Sequence, residues 1–400
     1  MSCLRCEPPC SLLAFQAILT TGMLPFESRD YRVSKRSRLD GELVVGPSLA
    51  MSNFCYTILR LDPYIGCGHS CVYCYTRFFP SLRRSQPAAR VDYPKLLEAA
   101  VEKLRRAGLE LPPLHMSALT EPFQPLERKL ALSLRLLRAA LRMRVPLLIS
   151  TKSTLVAEPP WLDAVKELAG EGLAAVQLSV AFLEDGVAKA LEPGAPPPSE
   201  RLRAAEKLSS EGVPLVLRMQ PLVPYLNSGE EYAERYAEAA RAVGARHVIA
   251  EALRISSWRD LAAFRKVMSE EAFRKLVNPS LWERFPLGSH KHPRRELRAR
   301  AYSHVKASAE RRGLTFATCR EGFYTMWSSP DCCGVFLLSE KVLRYTLYEL
   351  LHGPRHGYKY LTPEDYRRIP LPEMRRKLLA HHKIAESTAR NPSLVSTLTL

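Results

Sequence analysis

Between Phe54 and Glu251 the chain alternates short β-type runs with long amphipathic segments, and that period leaves few folds open. Candidate strands lie at 55–61, 114–118, 146–151, 175–180, 214–219 and 247–251. Helical stretches fall between them at about 93–107, 126–144, 161–169, 199–211 and 229–243. Each is long enough to cross back over a sheet, which makes neighbouring strands parallel. Six such units form either an open doubly wound sheet or a partial barrel, and the hydrophobic pattern alone does not separate the two. The stretch from Glu192 to Ser199 holds Pro193, Pro196, Pro197 and Pro198, a stiff excursion that ends on Ser199 as a helix cap.

This core, residues 51–255, is flanked by an N-terminal extension (1–50) and a C-terminal region (256–400). The latter reads as helices near 258–276, 293–312 and 363–380, with short apolar strands near 314–318 and 335–338. Hydrophobic residues at 46% and charged ones at 25% exclude a disordered chain. Arg, Glu or Pro interrupts every apolar run well short of the ~18–20 residues that a bilayer span needs. No small-residue cleavage site follows the apolar stretch 12–19, so a secretory signal is not expected. The 58 Lys and Arg against 41 Asp and Glu leave a formal charge of +17, which suits a polyanionic partner. Ten cysteines at close spacings, instead of spread as a disulfide lattice, point to metal or cluster ligation in a reducing, cytoplasmic compartment.

The chemistry concentrates in Pro63-Tyr64-Ile65-Gly66-Cys67-Gly68-His69-Ser70-Cys71-Val72-Tyr73-Cys74-Tyr75, directly after the first candidate strand. Three thiols at C-x3-C-x2-C on a loop freed by Gly66 and Gly68 can reach three corners of a [4Fe–4S] cube, leaving the fourth iron open. The alternative is a zinc knuckle, for which His69 is a poor fourth ligand because it lies inside the loop.

This spacing, with an aromatic before the last cysteine, resembles the signature of the radical S-adenosylmethionine (radical SAM) superfamily. In order, Cys67 to Arg77, Thr120-Glu121-Pro122-Phe123-Gln124-Pro125 with Glu127, Thr151-Lys152-Ser153, Leu191-Glu192-Pro193 with Arg201, and Pro221 with Pro224 resemble the spore photoproduct lyase-like, or DNA repair photolyase-like, family. The resemblance spans about residues 50–255 and implies a partial (β/α)6 TIM-like radical SAM barrel with a mainly helical C-terminal extension. It implies a [4Fe–4S] cluster on Cys67, Cys71 and Cys74, S-adenosylmethionine as cofactor, an electron donor such as ferredoxin or flavodoxin, and a lyase-like DNA repair reaction begun by a 5′-deoxyadenosyl radical. Carried over by position, Tyr73 and Tyr75 flank the adenine and the radical path. Lys152 reaches the methionyl carboxylate, Ser179 contacts ribose or the methionyl end, and Thr120 and Glu121 serve the methionyl amino group. Taken singly, Lys152 also reads as a strand-end charge, Ser179 as a core hydroxyl, and the tyrosines as packing aromatics. Glu192 and Arg201 read as an ion pair pinning the proline loop. One departure stands out: the lyases carry a hydrogen-returning cysteine after the second strand, where this chain has His115-Met116-Ser117-Ala118-Leu119-Thr120 and no cysteine between Cys74 and Cys319. A tyrosine or a C-terminal thiol is then the substitute.

Cys319, Cys332 and Cys333 read as ligands of an auxiliary cluster, as a hydrogen donor, or as plain buried thiols; Cys3, Cys6 and Cys10 lack a strand or core around them and read as incidental. Basic residues concentrate at 291–300, 311–312, 367–368 and 375–377, with Tyr302, Phe323, Tyr324 and Trp327 as candidate base-stacking partners, so a nucleic acid, DNA or RNA, is the expected partner. His290, His292, His352 and His356 are not assigned a metal. The rival substrates are RNA or a protein side chain, and the rival class is a non-catalytic cluster or zinc protein that binds nucleic acid.

Overall fold

A computed structural model describes residues 32–33, 39–44, 49–78 and 87–399. Six parallel strands form the central sheet: β1 Leu114–Met116, β2 Leu147–Thr151, β3 Ala174–Ser179, β4 Leu215–Leu222, β5 His247–Ala252 and β6 Thr315–Thr318. Their spatial order is β6-β5-β4-β3-β2-β1. The strands are buried almost throughout, the continuous apolar signature of a parallel sheet covered on both faces. Helices α1 Tyr93–Arg106, α2 Leu132–Arg142, α3 Trp161–Gly170, α4 Pro198–Ser210 and α5 Glu230–Ala242 make the crossovers. In α1 the buried set Tyr93, Leu97, Ala100, Val101 and Leu104 follows the helical period, and Pro94 occupies the first turn, where a missing amide hydrogen costs nothing.

The fold class is the α/β partial barrel expected, with two shifts of detail. The segment 55–61 pairs only through isolated bridges, Arg60 beside His115 in parallel and Leu59 against Val44. Its hydrogen bonds, Leu61 N to His115 O at 3.0 Å and His115 N to Leu59 O at 2.8 Å, place it next to β1, whose three residues leave it little to pair with. At the opposite edge β6, which lies past residue 255, extends the same sheet. Helix α6 Arg295–Glu310 packs on α5 and β6, and α7 Pro372–Ala389 packs on the helix Leu49–Phe54. The stretch 335–338, expected as a strand, is a 3-10 turn over Val335–Leu337.

Three expected helices are divided by their caps. The 126–144 stretch breaks at Ala131, which sits in the left-handed region at φ 45°. There the buried Glu127 carboxylate accepts the amides of Ser133 at 2.9 Å and Leu134 at 3.0 Å, capping α2 from outside its own helix, and also Trp161 Nε1 at 2.8 Å and the Tyr64 hydroxyl. Ser269 caps Glu270–Leu276, separating it from the turn Trp258–Lys266, and Pro370 separates Pro363–Arg368 from α7. Helix α4 begins at Pro198, with Ser199 held by Asp185 at 2.6 and 2.9 Å. Burial pushes the Glu127 carboxyl up. Glu127→Ala strands its donors and is expected to cost roughly 3 kcal/mol or more, read as a lower denaturant midpoint, whereas Glu127→Gln costs less because the acceptor oxygen remains. The extension 1–31 and with it Cys3, Cys6 and Cys10 lie outside the described residues.

Candidate active site

A cavity of about 240 Å3 opens over the carboxyl ends of the strands, where a partial barrel places its reactive groups. Its walls include Thr120 and Glu121 after β1, Lys152 after β2, Ser179 at the end of β3, Pro221 in β4, Glu251 in β5 and Arg320 after β6. Cys67, Cys71 and Cys74 face it from the loop after Tyr64–Ile65, together with Tyr73 and Tyr75. The fold therefore gathers every cluster, cofactor and catalytic candidate of the sequence, Cys319, Cys332 and Cys333 included, around one cavity.

The cysteine loop is held from three sides. Gln124 accepts from the Gly68 amide at 3.0 Å and donates to the Gly66 carbonyl at 3.3 Å. Leu191 O accepts from the Val72 amide at 2.9 Å, and His69 O accepts from the Gly194 amide at 3.0 Å. These contacts explain why Gln124 and Gly194 accompany the cysteines in the sequence, a role their local context does not reveal.

The donor set suits a cluster. Burial pushes the Cys67 thiol up to about 12, with the Glu121 charge adding to it, while the amides of His69 and Ser70 hydrogen-bond to its sulfur and favour a thiolate. Burial likewise raises Cys71. Iron compensates both the desolvation and the mutual repulsion of such thiolates, and the flanking amide hydrogen bonds are the kind that tune cluster sulfurs. His69 does not complete a zinc knuckle: its Nδ1 lies 3.5 Å from a Glu121 oxygen, and burial lowers its proton affinity. Among the described residues no three His, Cys, Asp or Glu side chains close on a single ion.

Around the loop the polar groups are already organised. Glu121 accepts from Thr151 Oγ1 at 2.5 Å and from the amides of Lys152 at 2.9 Å and Phe123 at 3.1 Å, so it shapes the end of β2. Thr120 Oγ1 is 2.9 Å from Ser117 Oγ, which donates to the buried Asp62. Lys152 Nζ sits 3.0 Å from Glu192 and 5.7 Å above the Tyr73 ring. Glu192 also accepts from the Tyr73 hydroxyl and forms the expected buried pair with Arg201, which donates further to Ser179 O at 3.0 Å and Pro196 O at 2.7 Å. Burial alone would raise Glu192, yet Lys152 and Arg201 hold it down to about 2. Tyr75 donates to Ala118 O beneath the Arg320 guanidinium, 5.2 Å from its ring, and burial pushes it to about 12.

The far wall carries cations that the sequence did not single out. Arg320 binds both Glu251 oxygens, at 3.0 and 2.8 Å; Arg254 pairs with the same carboxylate, and Arg218 donates to Gln177 and to Gln220 at 2.6 Å. The proposed base-stacking aromatics are corrected. Tyr302, Phe323 and Tyr324 are buried, and Trp327 donates to Thr318 at 2.9 Å. Arg298 is buried between Glu283 and Glu321, and Arg311 and Arg312 both engage Glu234. The large exposed aromatics among the described residues are Tyr225 and Trp258.

Residues 61–240 match the model of the radical SAM superfamily. This chain carries a radical SAM domain. The domain brings with it a [4Fe–4S] cluster and S-adenosylmethionine, the cofactors that the cysteine loop and cavity fit. An uncharacterised protein of Mycobacterium tuberculosis is 26% identical over 204 residues, 50% of this chain and 58% of the relative. One from Methanocaldococcus jannaschii is 26% identical over 171 residues, 42% of this chain and 61% of the relative. The chain thus spans less than two thirds of the curated relatives it matches. Among solved structures, a cysteine-to-serine variant of spore photoproduct lyase aligns with TM-score 0.52 at 15% identity, covering 77% of this chain and 94% of the lyase. The lyase complexed with dinucleoside spore photoproduct aligns with TM-score 0.51 at 17% identity, covering 74% and 86%. That likeness is one of fold. Among the described residues no helix is long and apolar enough to cross a membrane.

Proposed function

We propose that this protein is a radical SAM enzyme that abstracts a hydrogen atom from a nucleic-acid substrate, in a lyase-like reaction related to that of spore photoproduct lyase. The observation that carries this reading is the single cavity that joins three cluster cysteines to the ends of six strands and to an arginine-bearing far wall. When bound, the cluster and S-adenosylmethionine supply a 5′-deoxyadenosyl radical. Cys67, Cys71 and Cys74 would hold three irons, and Gln124 and Gly194 fix the loop that presents them. Lys152, now paired with Glu192, would hold the methionyl carboxylate, Thr120 and Glu121 would offer oxygens to the amino group, and Ser179 would contact the ribose or the methionyl end, all four lying on the cavity wall. Tyr73 and Tyr75, both on the cavity wall, would line the path between cofactor and substrate and, with the buried floor, exclude water from it. Arg254 and Arg320, two guanidiniums sharing the one Glu251 carboxylate, would take the substrate, where a phosphate finds guanidinium partners. The +17 charge of the chain supports a polyanion, and the dinucleoside bound by the structural neighbour supports a nucleic-acid component as substrate. An external electron donor of the ferredoxin or flavodoxin kind completes the cycle in a reducing, cytoplasmic compartment.

The test is anaerobic reconstitution with iron and sulfide, reduction, addition of S-adenosylmethionine, and assay for 5′-deoxyadenosine with ultraviolet-irradiated DNA, tRNA or no nucleic acid present. Cys67→Ala, Cys71→Ala or Cys74→Ala is expected to abolish 5′-deoxyadenosine formation. Irradiated DNA is expected to raise it above the uncoupled level, with binding that weakens steeply with salt. Stimulation by tRNA alone, or none by either, overturns the DNA assignment; no 5′-deoxyadenosine from the loaded protein overturns the enzyme.

A further inference from the structure

Seven cysteines lie among the described residues, and all seven face the one cavity. The loop that follows Tyr64–Ile65 accounts for three. The remaining four, Cys55, Cys319, Cys332 and Cys333, arrive from three distant stretches: the segment beside β1, the residue after β6, and the turn that follows Asp331. The sulfurs of Cys332 and Cys333 are 3.5 Å apart, and Thr57 Oγ1 bridges the group at 3.5 Å from the Cys333 sulfur and 3.9 Å from that of Cys55. None of the four is more than 9% exposed.

Their frame is rigid. Asp331 accepts the amides of Cys333, Val335 and Phe336 at 2.9 Å each and the Tyr358 hydroxyl at 2.8 Å, and the Cys333 carbonyl accepts Gln177 Nε2 at 2.6 Å, which ties the turn to β3. Two cations beside the thiols have only neutral acceptors among the described residues. Arg344, almost fully buried, donates to the carbonyls of Ser52 and Cys55 at 2.9 Å and of His381 at 3.4 Å. Arg218 donates to the amide oxygens of Gln177 and Gln220. Arg344 acts electrostatically on Cys55, and Arg218 on Cys319 and Cys333. A buried guanidinium without an anion is costly, and four thiolates around a [4Fe–4S]2+ core are an anion.

We infer that Cys55, Cys319, Cys332 and Cys333 ligate a second iron–sulfur cluster, one whose irons are all held by the protein. Assembly takes up two ferrous and two ferric ions with four sulfides, a core of charge 2+, and replaces four thiol protons with iron, the protons leaving to solvent. With no open iron this cluster transfers electrons and does not bind S-adenosylmethionine. The inference is independent of the substrate proposed above.

The test uses the full chain with Cys3, Cys6 and Cys10 changed to serine, so that the N-terminal thiols contribute nothing. This protein and its Cys67→Ala/Cys71→Ala/Cys74→Ala derivative are reconstituted anaerobically with ferrous and ferric iron and sulfide, desalted, and assayed for iron, acid-labile sulfide and the electron paramagnetic resonance of the reduced state. The intact-loop protein is expected to hold roughly twice the iron and sulfide of the derivative, and the derivative to show a cluster signal that S-adenosylmethionine does not alter. Cys332→Ser in the intact-loop protein is expected to remove that signal while the S-adenosylmethionine-sensitive one persists, a readout that does not depend on the triple derivative folding. A derivative folded by circular dichroism that holds no cluster, or holds zinc in place of iron after the same treatment, overturns the inference, as does a Cys332→Ser protein with both signals intact.

Discussion

Replacing Gly194 with alanine is expected to empty the cysteine loop of its cluster while the barrel stays folded. A Cβ at this position would lie 2.3 Å from the Gly68 carbonyl oxygen and 3.0 Å from the His69 Cα. Both are backbone atoms of the loop that carries Cys67, so no side chain can swing aside; either the loop or the proline excursion must move. Overpacking of this kind costs about 1–3 kcal/mol, small against the stability of a chain this long but large for a site whose sulfurs must be placed to within a few tenths of an ångström. The same shift breaks the Gly194 amide bond to His69 O. After reconstitution the S-adenosylmethionine-sensitive resonance signal should fall to roughly a tenth of the unmodified protein's, while the melting temperature moves by only a few degrees. Gly186→Ala is the control, since a Cβ there meets nothing within 4 Å. A Gly194→Ala protein that loads normally would mean the excursion yields freely, and that the motif Leu191-Glu192-Pro193 does not position the cysteine loop.

What the sequence makes legible follows from range. The parallel strands show because each is buried on both faces, so apolar runs such as Leu147–Thr151 need no partner to be recognised. Cys67, Cys71 and Cys74 show because their spacing is local. The breaks at Ala131 and Ser269 are not legible by period: the first depends on Glu127 reaching across to cap α2, a contact built on Tyr64 and Trp161 from elsewhere in the chain. Cys55 is invisible as a ligand candidate because its neighbours lie more than 250 residues away, as the 3.5 Å contact of Thr57 with Cys333 makes plain. Basic runs mislead for the opposite reason. Adjacency in sequence suggests a phosphate track at 291–300, yet the fold turns Arg298 inward to Glu283 and Glu321 and stacks His290 and His292 on Phe285.

Glu192→Ala is expected to be the most destabilising single change in the site. Glu192 and Arg201 have no exposed side-chain surface, and the carboxylate also holds Lys152 and the Tyr73 hydroxyl. Lys152 can turn to solvent when the carboxylate is lost, but Arg201 cannot, and stranding a buried charge costs about 3–5 kcal/mol. The melting temperature should drop by roughly 10 °C, with Glu192→Gln falling less because it keeps an acceptor for Tyr73. The pH dependence has a definite sign. The folded-state proton affinity of Glu192 is depressed to about 2 from an ordinary carboxylate value of 4.5, so its contribution is complete above the unfolded value and is lost as pH falls through that interval. Glu251 and Asp62 are held down by their own arginines and weaken over acid pH as well, so the informative quantity is the gap between wild type and Glu192→Gln. That gap should be constant near neutral pH and close as the pH approaches 2; a gap that stays fixed to pH 2.5 would show that Arg201 and Lys152 are balanced by some other group. Because Lys152 is the cation assigned to the methionyl carboxylate, the same substitution frees it, and Glu192→Gln should bind S-adenosylmethionine at least as tightly as wild type despite its lower stability.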